Sequence, residues 1–414
     1  MRDSAWRDCL QRLGRLDKLA LLFHLLLLLT GIAFIYGVGV EIGGDMATKW
    51  YMQVAWLAAG TALYLFCALT DYHRLGHFSW LLYAFSLLLL ILVLLVGLKI
   101  NNARSWLRLG AGINIQPAEF AKPATLLFMA WAVTHPAWRR SPVPSWLLVG
   151  LIALPPFALV LLQPDFGTGL VFLPVSLTIA FLKGLRWRWL LLGAAAAITL
   201  APVLYLRLSP YQQTRIKVFL EPPAHAAIVA IAPFVPDAQL DALRRRQDQF
   251  FAQDANRPRD NWNALQSLLA IGSGGMTGKG YLKGTQHILG YLPKNVAPTD
   301  FIFSVIAEET GFFGAATLMV AFIGFILCCC RTALLAADEF GICLAAGVAA
   351  ILATHVFVNI AMTVQAAPII GIPLPFVSYG GSFMLSTMIL AGLAQSVHIH
   401  RDGHLRDDPH DTTP

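Results

Sequence analysis

The sequence predicts an all-α polytopic membrane protein with about ten transmembrane helices, and three observations lead there. Of its 414 residues, 57% are hydrophobic and only 13% charged, where a soluble domain carries about 25% charge. Charge-free stretches such as Phe78 to Leu98 and Ser145 to Leu162 have the ~20-residue length that crosses ~30 Å of hydrocarbon. The basic residues cluster between apolar segments, so the net charge of +7 reads as an orientation signal and implies no nucleic-acid partner.

Hydropathy places ten spans at about 19–40, 50–70, 78–98, 117–134, 145–163, 168–184, 187–206, 302–330, 340–364 and 376–397. An even number puts both termini on one side. Arg2, Arg7, Arg12, Arg15 and Lys18 share a face with Arg74, Arg139, Arg140, Lys183, Arg186, Arg188, Arg331, Arg401 and Arg406. The opposite short loops offer only Lys49, Lys99, Arg104 and Arg108, so both termini are expected in the cytoplasm. The first span is expected to be an uncleaved signal anchor. The chain divides into a cytoplasmic segment at 1–18, a ten-helix domain at 19–397 and a cytoplasmic tail at 398–414.

Within that domain, 207–300 is a long external loop between the seventh and eighth spans, too long for a mere connector. Inside it, Pro236 to Asp254 reads as an amphipathic helix, with Leu240, Leu243, Phe250 and Phe251 against a charged face. The six cysteines read as small apolar packers. The tail histidines His398, His400, His404 and His410 read as solvated groups rather than metal ligands.

Ionisable side chains at membrane depth cost at least a few kcal/mol and mark function when they face the bundle interior. In Gln116-Pro117-Ala118-Glu119-Phe120-Ala121-Lys122, proline suits the first helical position. Glu119 then falls in the first turn, where the helix dipole favours a carboxylate, with Lys122 three residues on along the same face. The pair either locks the helix or faces a polar cavity. Asp165, with Gly167, Thr168 and Gly169, sits in a short turn and fits both turn chemistry and a site.

From Asn263 to Gly314 run the glycines Gly272, Gly274, Gly275, Gly278 and Gly280, then Thr299-Asp300-Phe301-Ile302-Phe303 and Glu308-Glu309-Thr310-Gly311. No strand or GK[ST] ending supports a nucleotide loop here. Asp300, at the mouth of a span among apolar residues, is placed either to cap the helix or to act as a general base. Gly371 to Ser382 is a broken, polar helix start, tolerated at that depth only where it is buried or lines a cavity.

Taken in order, these residues resemble the SEDS family, membrane proteins that polymerise peptidoglycan glycan strands. The resemblance rests on Arg104-Ser105-Trp106 before the Gln116 to Lys122 run, Gln163 to Thr168, Gln266 with Ala270 to Gly275, Thr299 to Phe303 with Glu308-Glu309, and Pro373 to Ser382. Gly284-Thr285-Gln286 and Val397 to Arg401 are more similar to the RodA branch than to the FtsW branch. The stretch from about Ala224 to Arg259 resembles an insertion with no role assigned by the family.

The resemblance implies a ten-helix bundle in the bacterial inner membrane and an inverting glycosyltransferase that takes lipid II on the external side, in elongation and rod shape. It also implies a class B penicillin-binding transpeptidase and other elongation-complex membrane proteins as partners. Pyrophosphate is already a good leaving group once its charge is countered, so one carboxylate and some cations suffice. Asp300 is then the expected base toward the acceptor hydroxyl. Lys122, Arg104 and Arg215 are the expected cations, with Glu119 holding Lys122, and Lys279 and Ser378 further substrate-binding candidates. A divalent cation such as Mg or Mn could supplement them with Asp300 as a ligand, though nothing has metal-ligand spacing. The rival expectation is a flippase for lipid-linked precursors, which would need polar groups past the midplane and a route open to both sides.

Overall fold

The computed structural model describes residues 11–100, 103–108, 114–139, 142–207, 258–286, 288–292 and 296–401, with a few isolated positions between 213 and 245. Arg215, the Pro236 to Asp254 helix, most of the 224–259 insertion and the tail beyond 401 lie outside the described residues.

The chain is a polytopic helical membrane protein, with a helix in each of the ten expected spans. Asp17 caps α1 (Lys18–Ile42) by accepting from the Leu19 and Ala20 N–H groups, and a 3-10 turn at Gly44–Thr48 leads into α2 (Lys49–Leu69). The short α3 (Tyr72–His77), capped by Asp71, precedes α4 (Ser79–Val96). Next come β1 (Leu98–Ile100), β2 (Ala103–Arg108) and β3 (Asn114–Ile115), a three-stranded antiparallel sheet in the order β1-β2-β3. No strand was expected here, since the segment is too short for a period-2 pattern to stand out beside its basic residues.

α5 (Pro117–Thr134) begins on Pro117 with Glu119 in its first turn, as the sequence predicts, and is followed by α6 (Pro136–Arg139) and α7 (Ser145–Leu162). The sixth span is two abutting helices, α8 (Phe166–Leu170) and α9 (Phe172–Leu182). α10 (Trp187–Arg207), α11 (Pro258–Ser273), α12 (Ile302–Leu334), α13 (Glu339–Thr363) and α14 (Gly381–His400) complete the order. Seven of the described helices are long and apolar enough to cross a membrane by length and composition alone.

Of two expectations about helix continuity, one is corrected and one is met. α12 was expected as one rod but breaks at Gly311, whose φ of 68° and ψ of −164° are not helical. Such backbone is open to glycine and strained for other residues. The last span was expected at about 376–397 with a broken start over Gly371 to Ser382, and the break is there: the helix itself starts at Gly381. Pro373 and Pro375 interrupt the ladder, and Phe376 sits at a φ of 65°, a conformation that costs a non-glycine residue of order 1–3 kcal/mol.

α14 is the central helix, buried along nearly its whole length and packed most extensively on α2, with α13 and α5 also against it. The 371–380 loop lies directly on α1: a Cβ on Gly31 would fall 2.7 Å from the Phe376 carbonyl oxygen. At the opposite end of the bundle, Arg331 Nη2 donates to Asp17 Oδ2 at 2.6 Å, and the Asp17 N–H donates to Gln395 Oε1 at 3.0 Å. The first and last helices therefore meet at the same end, tied there to α12.

Candidate functional site

The end opposite that knot carries Asp300, in a turn at residues 296–301 that is sewn to the 371–380 loop through backbone groups. The Tyr379 N–H donates to the Pro298 carbonyl at 2.9 Å. The Ser378 hydroxyl donates to the Thr299 carbonyl at 2.6 Å and accepts from the Leu374 N–H at 2.8 Å. Asn359 Nδ2 donates to the Asp300 carbonyl at 2.9 Å and to the Ile372 carbonyl at 2.7 Å. Gln53, from α2, donates to the Ser378 carbonyl at 3.2 Å and accepts from the Gly380 N–H at 3.3 Å.

Asp300 is half-buried, its Oδ2 3.5 Å from where a Cβ on Gly371 would stand. The cap position of α12 is Phe301, one residue on, so Asp300 is not its capping residue. Ser378 is buried, and its hydroxyl joins the loop to the turn that carries Asp300, one bond on Leu374 and one on Thr299. The strained Phe376 is anchored by its ring, 4.5 Å from the His24 ring and 5.4 Å from that of Phe325. At the rim, burial pushes the Tyr379 phenol above its usual range, which keeps its hydroxyl protonated to donate toward Met52 Sδ at 3.7 Å.

Glu119 and Lys122 come together as the helical spacing predicts, with Nζ 2.7 Å from Oε2 and both side chains almost fully buried. A third member joins them: His355 Nε2 lies 3.0 Å from Lys122 Nζ, and its Nδ1 faces the Pro373 carbonyl at 3.3 Å. A carbonyl can only accept, so Nδ1 carries the proton and Nε2 accepts from the ammonium. His355 and Asn359 stand four residues apart on α13 and share one face. That face connects the buried Glu119–Lys122 pair on one side with the Asp300 backbone on the other.

Asp165 performs the turn chemistry its position suggests. It caps α8 by accepting from the Thr168 N–H at 3.1 Å and hydroxyl at 3.0 Å, and its Oδ2 also accepts from Gln116 Nε2 at 2.7 Å. Lys279 meets Glu308, with Nζ 2.5 Å from Oε1 and 2.6 Å from Thr285 Oγ1. The fully buried Glu308 carboxylate also accepts from the Thr285 N–H at 2.7 Å and the Gln286 N–H at 3.2 Å. Beside the break at Gly311, the Glu308 and Glu309 carbonyls accept from the Lys279 and Gly280 N–H groups at 3.0 and 2.9 Å. The broken helix thus becomes the dock for the glycine run.

Arg104 is exposed on β2, its Nη1 3.5 Å from the Leu94 carbonyl, on a strand apart from the Asp300 turn and the Glu119–Lys122 pair. Among the described residues no three His, Cys, Asp or Glu side chains gather to hold a metal ion. Sequence reasoning missed Asn359, His355 and Gln53. The signal was present as lone polar residues inside apolar spans, two of them at helical spacing.

A family model described as "Cell cycle protein", covering FtsW, RodA and SpoVE proteins, matches residues 17–403. The peptidoglycan glycosyltransferase RodA of Treponema pallidum is 32% identical over 430 residues, covering 92% of this chain and 97% of that protein. The peptidoglycan glycosyltransferase MrdB of Escherichia coli is 33% identical over 389 residues, covering 93% and 94%. Among solved structures, a chain from a study of the coordination of polymerization and crosslinking by a peptidoglycan synthase complex superposes with a TM-score of 0.70 at 28% identity. It covers 93% of this chain and 98% of its own. The Thermus thermophilus rod shape determining protein RodA superposes with a TM-score of 0.63 at 27% identity, covering 93% and 97%.

Proposed function

The chain belongs to the SEDS family of FtsW, RodA and SpoVE proteins and is a membrane-embedded peptidoglycan glycosyltransferase, and on that premise we propose how its residues carry the reaction. The substrate is lipid II, and the acceptor hydroxyl of a second sugar attacks its anomeric carbon from the face opposite the undecaprenyl pyrophosphate. The new glycosidic bond forms as the bond to pyrophosphate breaks, inverting the centre. Asp300 takes the acceptor proton. The observation that supports this most is its placement: a half-buried carboxylate at a helix mouth, on a turn tied to the 371–380 loop by two hydrogen bonds, Tyr379 N–H to the Pro298 carbonyl and Ser378 hydroxyl to the Thr299 carbonyl, with Asn359 from α13 on the Asp300 carbonyl itself. Fixing the base by its main chain holds it in position for the acceptor hydroxyl.

The leaving pyrophosphate needs positive charge. Arg104, exposed at the same end, and Arg215 are the proposed partners, with Lys279 at the edge of the docked glycine run. Lys122 stands deeper, between Glu119 and His355, and joins them only if substrate displaces one of those partners. A divalent ion such as Mg²⁺, if bound here, would have the Asp300 carboxylate as its protein ligand. It would supply further neutralisation of the leaving group.

The membrane is the bacterial inner membrane, with both termini cytoplasmic and the Asp300 end outside. Support comes from the basic-residue asymmetry and from the first and last helices meeting at one end. Single cysteines at Gln253 and at His410 in an otherwise cysteine-free chain decide it: label added to intact cells should reach the first and not the second. The partner is a class B penicillin-binding transpeptidase. The likeness to a chain from a synthase complex that couples polymerization and crosslinking supports that reading. The direct test is the purified chain with lipid II, scored for glycan strands. Strand formation is expected, and lipid movement across vesicles without polymer would instead establish the flippase reading.

A further inference from the structure

At the end of the bundle opposite Asp300, a cleft of about 400 Å³ opens among α5, α7, α9 and α13. Its walls include the apolar Val133 and Leu182, the hydroxyl of Ser145, and a facing Lys183 and Glu339. Lys183 Nζ and Glu339 Oε2 are 2.7 Å apart; the lysine side chain is 10% exposed and the carboxylate 51%. The cation is therefore held inside the cleft while the anion stands at its mouth.

The surroundings place this cleft at the depth of lipid headgroups. Trp146 and Trp189 stack with ring centroids 5.8 Å apart, and Trp187 and Trp189 are exposed beside the exposed Arg186 and Arg188. Tryptophan and arginine gather in this way where a membrane meets water. Polar clefts between helices at that level are within reach of lipid headgroups.

We propose that this cleft binds the headgroup of an ethanolamine phospholipid, with the lipid phosphate on Lys183, the lipid ammonium on Glu339 and the first part of the tails along Leu182 and Val133. Charge selects this class. Lys183 and Glu339 together are neutral, so a bare phosphate or a purely anionic headgroup gains one ion contact and repels the other partner. A headgroup carrying both a phosphate and an ammonium inserts between the two and satisfies both. α7 adds to the phosphate side, because its N-terminus at Ser145 has no side-chain cap, and an open helix N-terminus favours an anion.

The test is lipid retention by the full-length chain, measured by native mass spectrometry after titration with phosphatidylethanolamine, phosphatidylglycerol, glycerophosphoethanolamine or inorganic phosphate. The wild type should retain phosphatidylethanolamine about tenfold more tightly than phosphatidylglycerol, the scale of one charge-assisted hydrogen bond, and should not retain phosphate. Glu339→Gln should erase that preference, and Lys183→Gln should release both lipids. Should Lys183→Gln fail to fold, Ser145→Phe crowds the cleft without touching the ion pair and should lose the same lipid. Equal retention of the two lipids by the wild type, or unchanged retention in Glu339→Gln and Ser145→Phe, means only lipid surrounding the bundle and overturns the site. Retention of glycerophosphoethanolamine as tight as that of the lipid overturns the membrane as its source.

Discussion

Asn359 grips Asp300 by its backbone: one amide group donates to the Asp300 carbonyl at 2.9 Å and to the Ile372 carbonyl at 2.7 Å. A single side chain on α13 thereby sets the spacing between the segment that carries the carboxylate and the loop that walls it. Asn359→Leu keeps the size and removes both bonds, leaving two buried carbonyls at roughly 1–3 kcal/mol each. The expected outcome is a lower thermal midpoint and a fall in kcat larger than any rise in KM for lipid II. Wild-type kcat in a folded Asn359→Leu protein would show that the grip is idle.

Asp300→Asn preserves the shape and backbone bonds of Asp300 but cannot take a proton. It should insert and fold as the wild type does, and lose the ~10²- to 10⁴-fold that a positioned base contributes, which leaves essentially no polymer from lipid II. Near-normal polymerisation would remove Asp300 from the mechanism and make Glu119 the next carboxylate to test.

Lys122 is tested by a pair of changes, because its partners make two roles separable. Lys122→Met removes the charge and leaves the Glu119 carboxylate buried alone, which typically destabilises by ~3–5 kcal/mol. Glu119→Gln with Lys122→Met removes both charges. If the pair only locks α5, the double variant recovers the stability and polymerisation lost by the single one. Stability that recovers while activity stays lost assigns Lys122 to substrate.

Glu308→Gln should free the glycine run without touching Asp300. The fully buried carboxylate collects bonds from Lys279, Thr285 and Gln286. An amide supplies a single acceptor oxygen and no charge, at a cost of about 1–3 kcal/mol. Hydrogen exchange over residues 279–286 should rise while that over α13 stays as it is. Unchanged exchange would mean that the carbonyl pairing beside Gly311 holds the run unaided.

A pH dependence resides at the other end. His73 is partly buried, which alone would lower its pKa, but hydrogen bonds to Asp338 at 2.9 Å and Asp71 at 3.2 Å prevail and raise it from 6.5 to about 9. The same contacts, with those from Tyr72 and the Gly341 N–H, hold the Asp338 carboxyl below its ordinary value against the opposing effect of its burial. A pKa raised in the folded state adds stability that is complete below about 6.5 and disappears as pH climbs through about 9. Thermal midpoints should therefore fall between pH 7 and 10, and His73→Gln should flatten that fall. An identical profile in both proteins would remove His73 from the account.

The ten spans were legible because lipid demands long apolar runs and the sequence has no other way to supply them. The Glu119–Lys122 pair was legible because helix geometry alone sets a three-residue spacing. The fixing of Asp300 was not, since Asn359 and Gln53 act on carbonyls and N–H groups that every residue possesses, and only the fold says which ones meet. The break in α12 was hidden too: glycine is common in membrane helices, and nothing local in the sequence marks Gly311, rather than Gly314 or Gly324, as the one that leaves helical φ/ψ and packs on the Met276 to Gly278 backbone. Ser378, a motif residue expected to bind substrate, has a tie the motif did not show: its hydroxyl joins the Leu374 N–H to the Thr299 carbonyl across the two segments.

The knot of Asp17, Arg331 and Gln395 bears on how the protein is made. Asp17 and Gln395 are 378 residues apart in the chain, so during synthesis the opening helix enters the bilayer long before its last partner exists. Until α14 arrives the knot lacks one of its three strands, and a ribosome stalled before that point leaves a bundle missing its central rod as well. The final helix therefore closes the knot last: Asp17 can meet Arg331 once α12 is made, but only the finished chain brings Gln395 Oε1 to the Asp17 N–H.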